Sequence, residues 1–249
     1  MSRIEISRIN RGFVIRSWDH LSSGDIEGMI REVARAGGGS LRWFVFSPTD
    51  VERDAARRHG LVHGQPLMHM RCSLPLDARH RLPSRFVTRA FRPGVDDEEW
   101  LALNSRAFAA HPEQGDWTSV VLEQRFAEPW FDAAGFLVHD IDGRMAGFCW
   151  TKVHAESDDT EHANEGHGDH AAVGEIYVIG VDPSLHGRGL GRALTIAGFE
   201  HLSSRGLHQG MLHVAGDNTT AISLYSSLGM TVAHHEEVFV GSVPPADLR

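Results

Sequence analysis

Between residues 174 and 192 the chain runs Gly-Glu-Ile-Tyr-Val-Ile-Gly-Val-Asp-Pro-Ser-Leu-His-Gly-Arg-Gly-Leu-Gly-Arg, an order that few folds accommodate. The apolar stretch from Ile176 to Val181 halts at Asp182-Pro183, the pattern of a buried strand stopped by a turn. A helical pattern follows at Leu190, Leu194, Ala197 and Leu202. The alternate glycines Gly187, Gly189 and Gly191 leave room for backbone N–H groups to turn inward. The helix start adds partial positive charge, and Arg188 and Arg192 add full charges. Strand, glycine loop and helix start together predict a cradle for a pyrophosphate.

The glycine spacing separates this loop from other phosphate binders. Gly-x-x-x-x-Gly-Lys-Ser/Thr is absent, and strict alternation does not fit Gly-x-Gly-x-x-Gly. The formal charge of −9 and the lack of a Lys/Arg block argue against a nucleic-acid surface. Cys72 and Cys149 have neither zinc spacing nor a disulfide framework, and both sit in apolar runs, so buried thiols are expected. No apolar run approaches the ~18 residues of a membrane span, and the N-terminus does not read as a signal peptide. A monomer in the cytoplasm, without metal or membrane partner, is the expectation.

Residues 85–249 read as one α/β unit with a mixed sheet. A strand is expected at 85–91, and a helix capped by Asp96 runs to about residue 110. A loop at 111–117 leads to a helix at 119–126. A hairpin at 136–153 turns at Asp142-Gly143. After the glycine loop come a strand at 210–215, a helix capped by Asp217 or Asn218 and ended by Gly229, and a strand at 232–240. Residues 154–173 interrupt the pattern with His154, His162, His167 and His170 among acidic residues. Their lack of periodicity favours a flexible, solvated extension over a metal site. Residues 1–80 give helix 25–36, strand 41–46, helix 49–58 ended by Gly60, and strand 67–76. Aligning Gly60 on Gly229 matches Val45 to Val214 and Leu61 to Met230, a weak internal repeat. On this reading the N-terminal part is a truncated, non-catalytic half domain without the strands that should precede its first helix.

Glu175 begins an otherwise apolar strand and is the candidate general base, its pKa expected to rise with partial burial; a sheet-end ion pair is the alternative. Glu175, Tyr177, Ile179 and Val181 share a face until a bulge breaks the register. Further along, the backbone of Ile179, Gly180 and Val181 is expected to splay and present its polar groups. Tyr225 shares a helix face with Ala221 and Leu228 and suits either a proton donor or core packing. His213 is either a satisfied core histidine or a wall of the substrate site. Lys152 and Glu113 are candidates for anchoring a polar acceptor, with solvated flanks as the alternative.

His186-Gly187-Arg188-Gly189-Leu190-Gly191 resembles the coenzyme A loop Arg/Gln-x-x-Gly-x-Gly/Ala of the GNAT acetyltransferase superfamily, with His186 in place of Gln or Arg. Residues 107–117 (Ala-Phe-Ala-Ala-His-Pro-Glu-Gln-Gly-Asp-Trp), Trp150-Thr151-Lys152-Val153-His154, 174–182, Asp217-Asn218 and Tyr225-Ser226-Ser227-Leu228-Gly229 resemble the mycothiol synthase family more narrowly. That resemblance implies tandem GNAT domains with a catalytic C-terminal one. It also implies acetyl transfer from acetyl-CoA to the cysteinyl amine of the pseudodisaccharide Cys-GlcN-Ins. By resemblance, Glu113, Lys152, Glu175 and His213 (where the family often has Tyr) line the acceptor site, with Glu175 as base and Tyr225 as acid. Acetyl-CoA would be held by Ile179, Gly180, Val181, His186, Gly187, Arg188, Gly189, Leu190, Gly191 and Arg192, and by Asn218, Thr219, Thr220, Ala221, Ile222 and Ser223. The competing readings are a GNAT enzyme for another small amine and an inactive coenzyme A-binding fragment.

Overall fold

The structure, a computed structural model, describes residues 4–9, 12–109, 112–154 and 172–246. In chain order the first elements are β1 (Ile4–Ile9), β2 (Gly12–Ser17), α1 (Ser23–Arg35), β3 (Gly39–Phe46), α2 (Asp50–Arg58), β4 (Val62–His63), β5 (Leu67–Ser73) and β6 (Arg89–Ala90). Then follow α3 (Asp97–Ala107), α4 (Pro112–Gly115), α5 (Ser119–Phe126), β7 (Phe136–Ile141), β8 (Arg144–His154), β9 (Val173–Val181), α6 (Leu190–Ser204), β10 (Gln209–Ala215), α7 (Thr219–Ser227) and β11 (Thr231–Val243). The chain divides into a smaller unit, Met1–His69 with Val214–Thr219 and Val232–Arg249, and a larger unit, Met70–His213 with Thr220–Thr231.

In the smaller unit, β1 and β2 form an antiparallel pair, and β2 continues through α1 into a parallel neighbour, β3. The other edge of β3 takes β11, antiparallel, from Glu236 opposite Phe46 to Val243 opposite Gly39. Helix α1 buries Ile26, Met29, Ile30 and Val33, the i, i+3, i+4, i+7 stripe of a helix lying on a sheet. Its start is closed by a capping box: the Ser22 hydroxyl accepts from Asp25 N, and the Asp25 carboxylate accepts from Ser22 N. Helix α2 repeats the device with Thr49 and the fully buried Glu52, which also accepts from Leu21 N. Trp43 and Phe239 pack at 5.5 Å between ring centroids in the core beneath these helices.

Two expectations for this part need correction. Strands do precede the first helix, because β1 and β2 form an edge hairpin whose short alternating pattern carries little periodic signal. The contiguous division into 1–80 and 85–249 also differs from the observed one. The last strand, β11 from Val232 on, belongs to the smaller unit, and β5 from Met70 on belongs to the larger.

The larger unit carries the sheet order β5-β10-β9-β8-β7-β6. β7, β8 and β9 are successive antiparallel neighbours, and α6 crosses from β9 to a parallel β10. This antiparallel pair followed by a helical crossover is the order already seen in β1, β2, α1 and β3. Phe136 stacks between Phe91 and Trp150 at 4.2 and 4.3 Å, the spine of an aromatic core that includes Trp100 and Phe148. On the other face α6 sits so close to β8 that a Cβ on Gly198 would lie 2.5 Å from Cys149 Sγ. Asp142 and Gly143, both left-handed, make the hairpin turn between β7 and β8. Burial pushes the Cys149 thiol up and the Cys72 thiol up to about 12, which makes both inert.

Asp96 does not cap α3 with its side chain. Its buried carboxylate instead accepts from Arg92 N and from the guanidinium groups of Arg89 and Arg92. Burial alone pushes this carboxyl up, yet those hydrogen bonds outweigh it and bring it down to about 2. The stability it contributes is therefore complete above the ordinary carboxylate range, about pH 4, and is lost as the pH falls through the folded value. We expect Asp96→Asn to cost about 1–3 kcal/mol at neutral pH. It should also flatten the acid limb of Tm against pH, followed by circular dichroism.

Candidate functional site

The glycine loop is built from its flanks inward. Asp182 ends β9 and accepts from Ser184 N at 3.0 Å and Ser184 Oγ at 2.7 Å, while Arg106 donates to it at 2.7 Å. The Ser184 hydroxyl, then Arg106, hold this carboxyl down to about 2, so it anchors the turn as an anion. The His186 ring lies 3.2 Å from Val181 O and folds the loop back on the strand. Gly187 and Gly189 have φ of +75° and +79°, left-handed values that favour glycine, whereas Gly191 already lies within α6. Gly189 is the N-cap of α6 and supplies no side-chain cap, and the first turn of this helix contains no acid. The leading N–H groups of α6 therefore keep their affinity for an anion. Arg188 is exposed at this opening. Arg192 is turned aside, donating to Ser227 Oγ at 2.6 Å and lying 2.9 Å from His80 Nδ1.

Next to this loop the sheet opens. Trp150 faces Val178 and Thr151 faces Ile176, so Tyr177 is an extra residue, a β-bulge in β9. β9 and β10 pair only from Gly174 opposite Gly210 to Ile176 opposite Leu212. Past that point β9 keeps β8 as its neighbour through Val181 opposite Gly147. The backbone groups of Ile179, Gly180 and Val181 not directed at β8 thus lie past the end of the β9–β10 ladder.

Glu175 lies at the root of the opening and is 6% exposed. His154 Nε2 is 2.8 Å from Glu175 Oε2, and His213 Nδ1 is 3.0 Å from Glu175 Oε1. A carboxylate only accepts, so each of these ring nitrogens carries the proton and donates. Burial pushes the Glu175 carboxyl up, but the hydrogen bonds from His154 and His213 prevail and hold it well below its usual value. The expected upward shift is therefore reversed: Glu175 is a firmly ionised carboxylate. His154, grouped by sequence with the solvated histidines that follow, is instead the buried last residue of β8. It lies two residues from Lys152 and so on the same strand face, the one signal that could have found it. The other histidines of the expected extension fall in residues 155–171, outside the described residues.

Lys152 stands opposite Glu175 in the β8–β9 register. Its ammonium lies 5.0 Å from the centre of the Trp130 ring and 5.9 Å from that of Tyr177. Trp130 was not anticipated; it packs on Tyr177 and Trp150. Tyr225 projects from α7 and is buried, and burial followed by the neighbouring Cys149 pushes its phenol up. It remains protonated at physiological pH. α7 ends at Ser227, and Gly229, whose φ is +91°, follows in the turn. Asn218 precedes α7, and Thr219, Thr220, Ala221, Ile222 and Ser223 form its first turns. Glu113 lies in α4, its side chain outside the described part. The neighbouring Gln114 is fixed by the buried Asn104, whose Oδ1 accepts from Gln114 Nε2 at 3.2 Å. Among the described residues no cluster of three or more His, Cys, Asp or Glu forms a metal site, and no helix is long and apolar enough to cross a membrane.

We expect His154→Ala and His213→Ala each to raise the Glu175 carboxyl towards its ordinary range, because each removes a donor to the anion. A 13C titration of glutamate-labelled protein reads this directly. The stability that ionised Glu175 contributes is present above the ordinary carboxylate range and lost as the pH falls through its lowered folded value, so in the variants that loss begins at higher pH.

Residues 98–230 match the Acetyltransferase (GNAT) family. The chain is 46% identical over 205 residues to a mycothiol acetyltransferase of Thermobispora bispora, covering 82% of this chain and 66% of that one. It is 45% identical over 204 residues to the mycothiol acetyltransferase of Acidothermus cellulolyticus, covering 81% of this chain and 62% of that one. The chain thus spans just under two thirds of the length of these curated relatives. Among solved structures, a GCN5-related N-acetyltransferase from Sphaerobacter thermophilus superposes with a TM-score of 0.66 at 19% identity, over 98% of this chain and 77% of that one. A tandem GNAT protein from the clavulanic acid biosynthesis pathway superposes with a TM-score of 0.62 at 15% identity, over 99% and 80%.

Proposed function

The chain belongs to the GNAT acetyltransferase family, and on that premise we propose that it moves the acetyl group of acetyl-CoA onto the cysteinyl amine of Cys-GlcN-Ins, giving mycothiol. The observation that carries this reading is the end of the β9–β10 ladder at Ile176 and Leu212, one residue beyond the ionised Glu175. A thioester seated in that opening meets an incoming nitrogen beside a basic cluster. The choice of acceptor draws on the relatives' names and on the presence here of Lys152 and Glu113, the residues proposed to anchor the pseudodisaccharide.

Acetyl-CoA supplies the activated acyl group. Its pyrophosphate suits the α6 start, where Gly187, Gly189 and the uncapped N–H groups accept an anion without a competing carboxylate. Arg188 and a released Arg192 add charge, and the first turns of α7 from Asn218 to Ser223 flank the coenzyme. The outward backbone groups of Ile179, Gly180 and Val181 hold the pantetheine arm and polarise the thioester carbonyl. The amine attacks directly, its proton passes to the Glu175 cluster, and the Tyr225 phenol protonates the departing sulfur. Holding both reactants in one cleft supplies much of the acceleration, and no covalent enzyme intermediate is required.

In this reading the smaller unit is a non-catalytic companion that repeats the latter half of a GNAT domain. The start of its α1 supports that role: Ser22 and Asp25 occupy the N–H groups and place an acid where α6 leaves an anion site. The tandem arrangement named for the clavulanic acid protein supports it too.

Acetyl transfer by the purified chain to Cys-GlcN-Ins, assayed beside aminoglycosides and amino acids by thiol release, tests the proposal. Preference for Cys-GlcN-Ins is expected. Turnover only of another amine would favour a different acceptor, and absence of acetyl-CoA binding by calorimetry would remove the catalytic reading. Glu175→Gln should lower kcat about 10²–10⁴-fold with acetyl-CoA affinity retained. Gly189→Val, forced into a left-handed conformation, should instead weaken acetyl-CoA binding.

A further inference from the structure

We propose that His213, oriented by Glu175, is the group that takes the proton from the attacking nitrogen, and that His154 acts behind it as a positioning residue. The inference rests on the acetyl-transfer reading above and assigns the proton step within that site.

Both Glu175 oxygens are engaged, Oε2 by His154 and Oε1 by His213, and the side chain is almost wholly withdrawn from solvent. The His213 side chain is 26% exposed, against 8% for both His154 and Glu175. Of the three it is the member that an acceptor can approach. Its place in the sheet agrees: Leu212 is the last β10 residue paired with β9, so His213 is the first residue of β10 past the point where the strands part. Because Nδ1 donates to a carboxylate, the neutral ring keeps Nε2 unprotonated, the tautomer a base needs. The same order of groups, carboxylate to Nδ1–H and then Nε2 toward the reacting proton, makes histidine an effective base in hydrolases of unrelated fold.

Proton affinities point the same way. An α-amine ordinarily titrates near 7.7–8.0, an imidazole near 6.5 and a glutamate near 4.3. Transfer from the amine to an ordinary imidazole is thus uphill by roughly twentyfold, and to an ordinary carboxylate by more than a thousandfold. Glu175 is a still weaker acceptor than that. Among the described residues, the titratable groups beside the pair include His154 on β8 and Lys152, which stands across from Glu175 with its ammonium against Trp130.

In the step itself, the amine nitrogen forms the C–N bond as the C–S bond breaks. The nitrogen's proton goes to His213 Nε2, giving an imidazolium paired with the Glu175 anion. The sulfur takes the Tyr225 proton, and solvent returns a proton to Tyr225 and removes one from His213.

The test uses the full chain with acetyl-CoA and Cys-GlcN-Ins. His213→Gln keeps a donor for Glu175 but cannot take the proton; kcat should fall about 10²-fold or more, with acetyl-CoA affinity unchanged by calorimetry. His213→Gly should be equally slow and regain at least about tenfold in kcat when imidazole is added, in proportion to its unprotonated fraction. His154→Gln should lower kcat without imidazole rescue. A His213→Gln enzyme within about threefold of wild type, or a His213→Gly enzyme folded by circular dichroism that imidazole leaves unchanged, overturns the inference while wild-type turnover stands. Wild-type protein that acetylates no amine overturns the underlying reading and this inference with it.

Discussion

A carboxylate withdrawn from water must be matched by donors or give up its charge. Glu175 meets that demand with two imidazoles, one from each neighbouring strand: His154 on β8 and His213 on β10. The same three residues tie the strands together just before they separate. Beyond Ile176 and Leu212 the β9–β10 ladder is gone, and the bulge at Tyr177 shifts the register of β9 against β8. The ion cluster sits at the root of the opening, where the β9–β10 ladder ends. Neither feature would have much chemical value without the other.

The two helix starts show how small a change separates a site from a scaffold. α1 and α6 both connect parallel neighbours, β2 to β3 and β9 to β10. At α1 the sequence Ser22-Ser23-Gly24-Asp25 places a capping box on the leading N–H groups, which stabilises the helix and repels an anion. At α6 the left-handed Gly189 stands in the cap position without a side chain to fill it. No acid stands in the first turn of α6, so its leading N–H groups favour an anion where those of α1 do not. Asp182, held by Ser184 and Arg106, keeps the turn before the loop in shape.

Much of this was legible from local pattern. The β9–loop–α6 segment announces itself because a strand stop, left-handed glycines and a helical apolar period all act over a few residues. The buried stripe of α1 and the Asp142-Gly143 turn are legible for the same reason. The β1–β2 hairpin escaped notice because two six-residue strands at an edge leave little periodic trace. His154 was hidden by its neighbours: an acidic, histidine-rich run begins at its C-terminal side, and composition alone assigned it to that run. The membership of β11 in the smaller unit could not be read at all, since the apolar pattern around Val238 and Phe239 would suit any neighbouring strand.

What the sequence determined by itself is the chemistry on offer: an uncapped glycine turn before a helix, an acid beginning an apolar strand, and a tyrosine on a helix face. Tertiary structure decided the electrical state of that acid. Burial alone predicts a raised carboxyl, and only the arrival of donors 21 and 38 residues away in the chain reverses the sign. The physical reason is range: turns and helical stripes depend on neighbours in sequence, whereas a buried charge depends on whatever the folded sheet brings within hydrogen-bond distance.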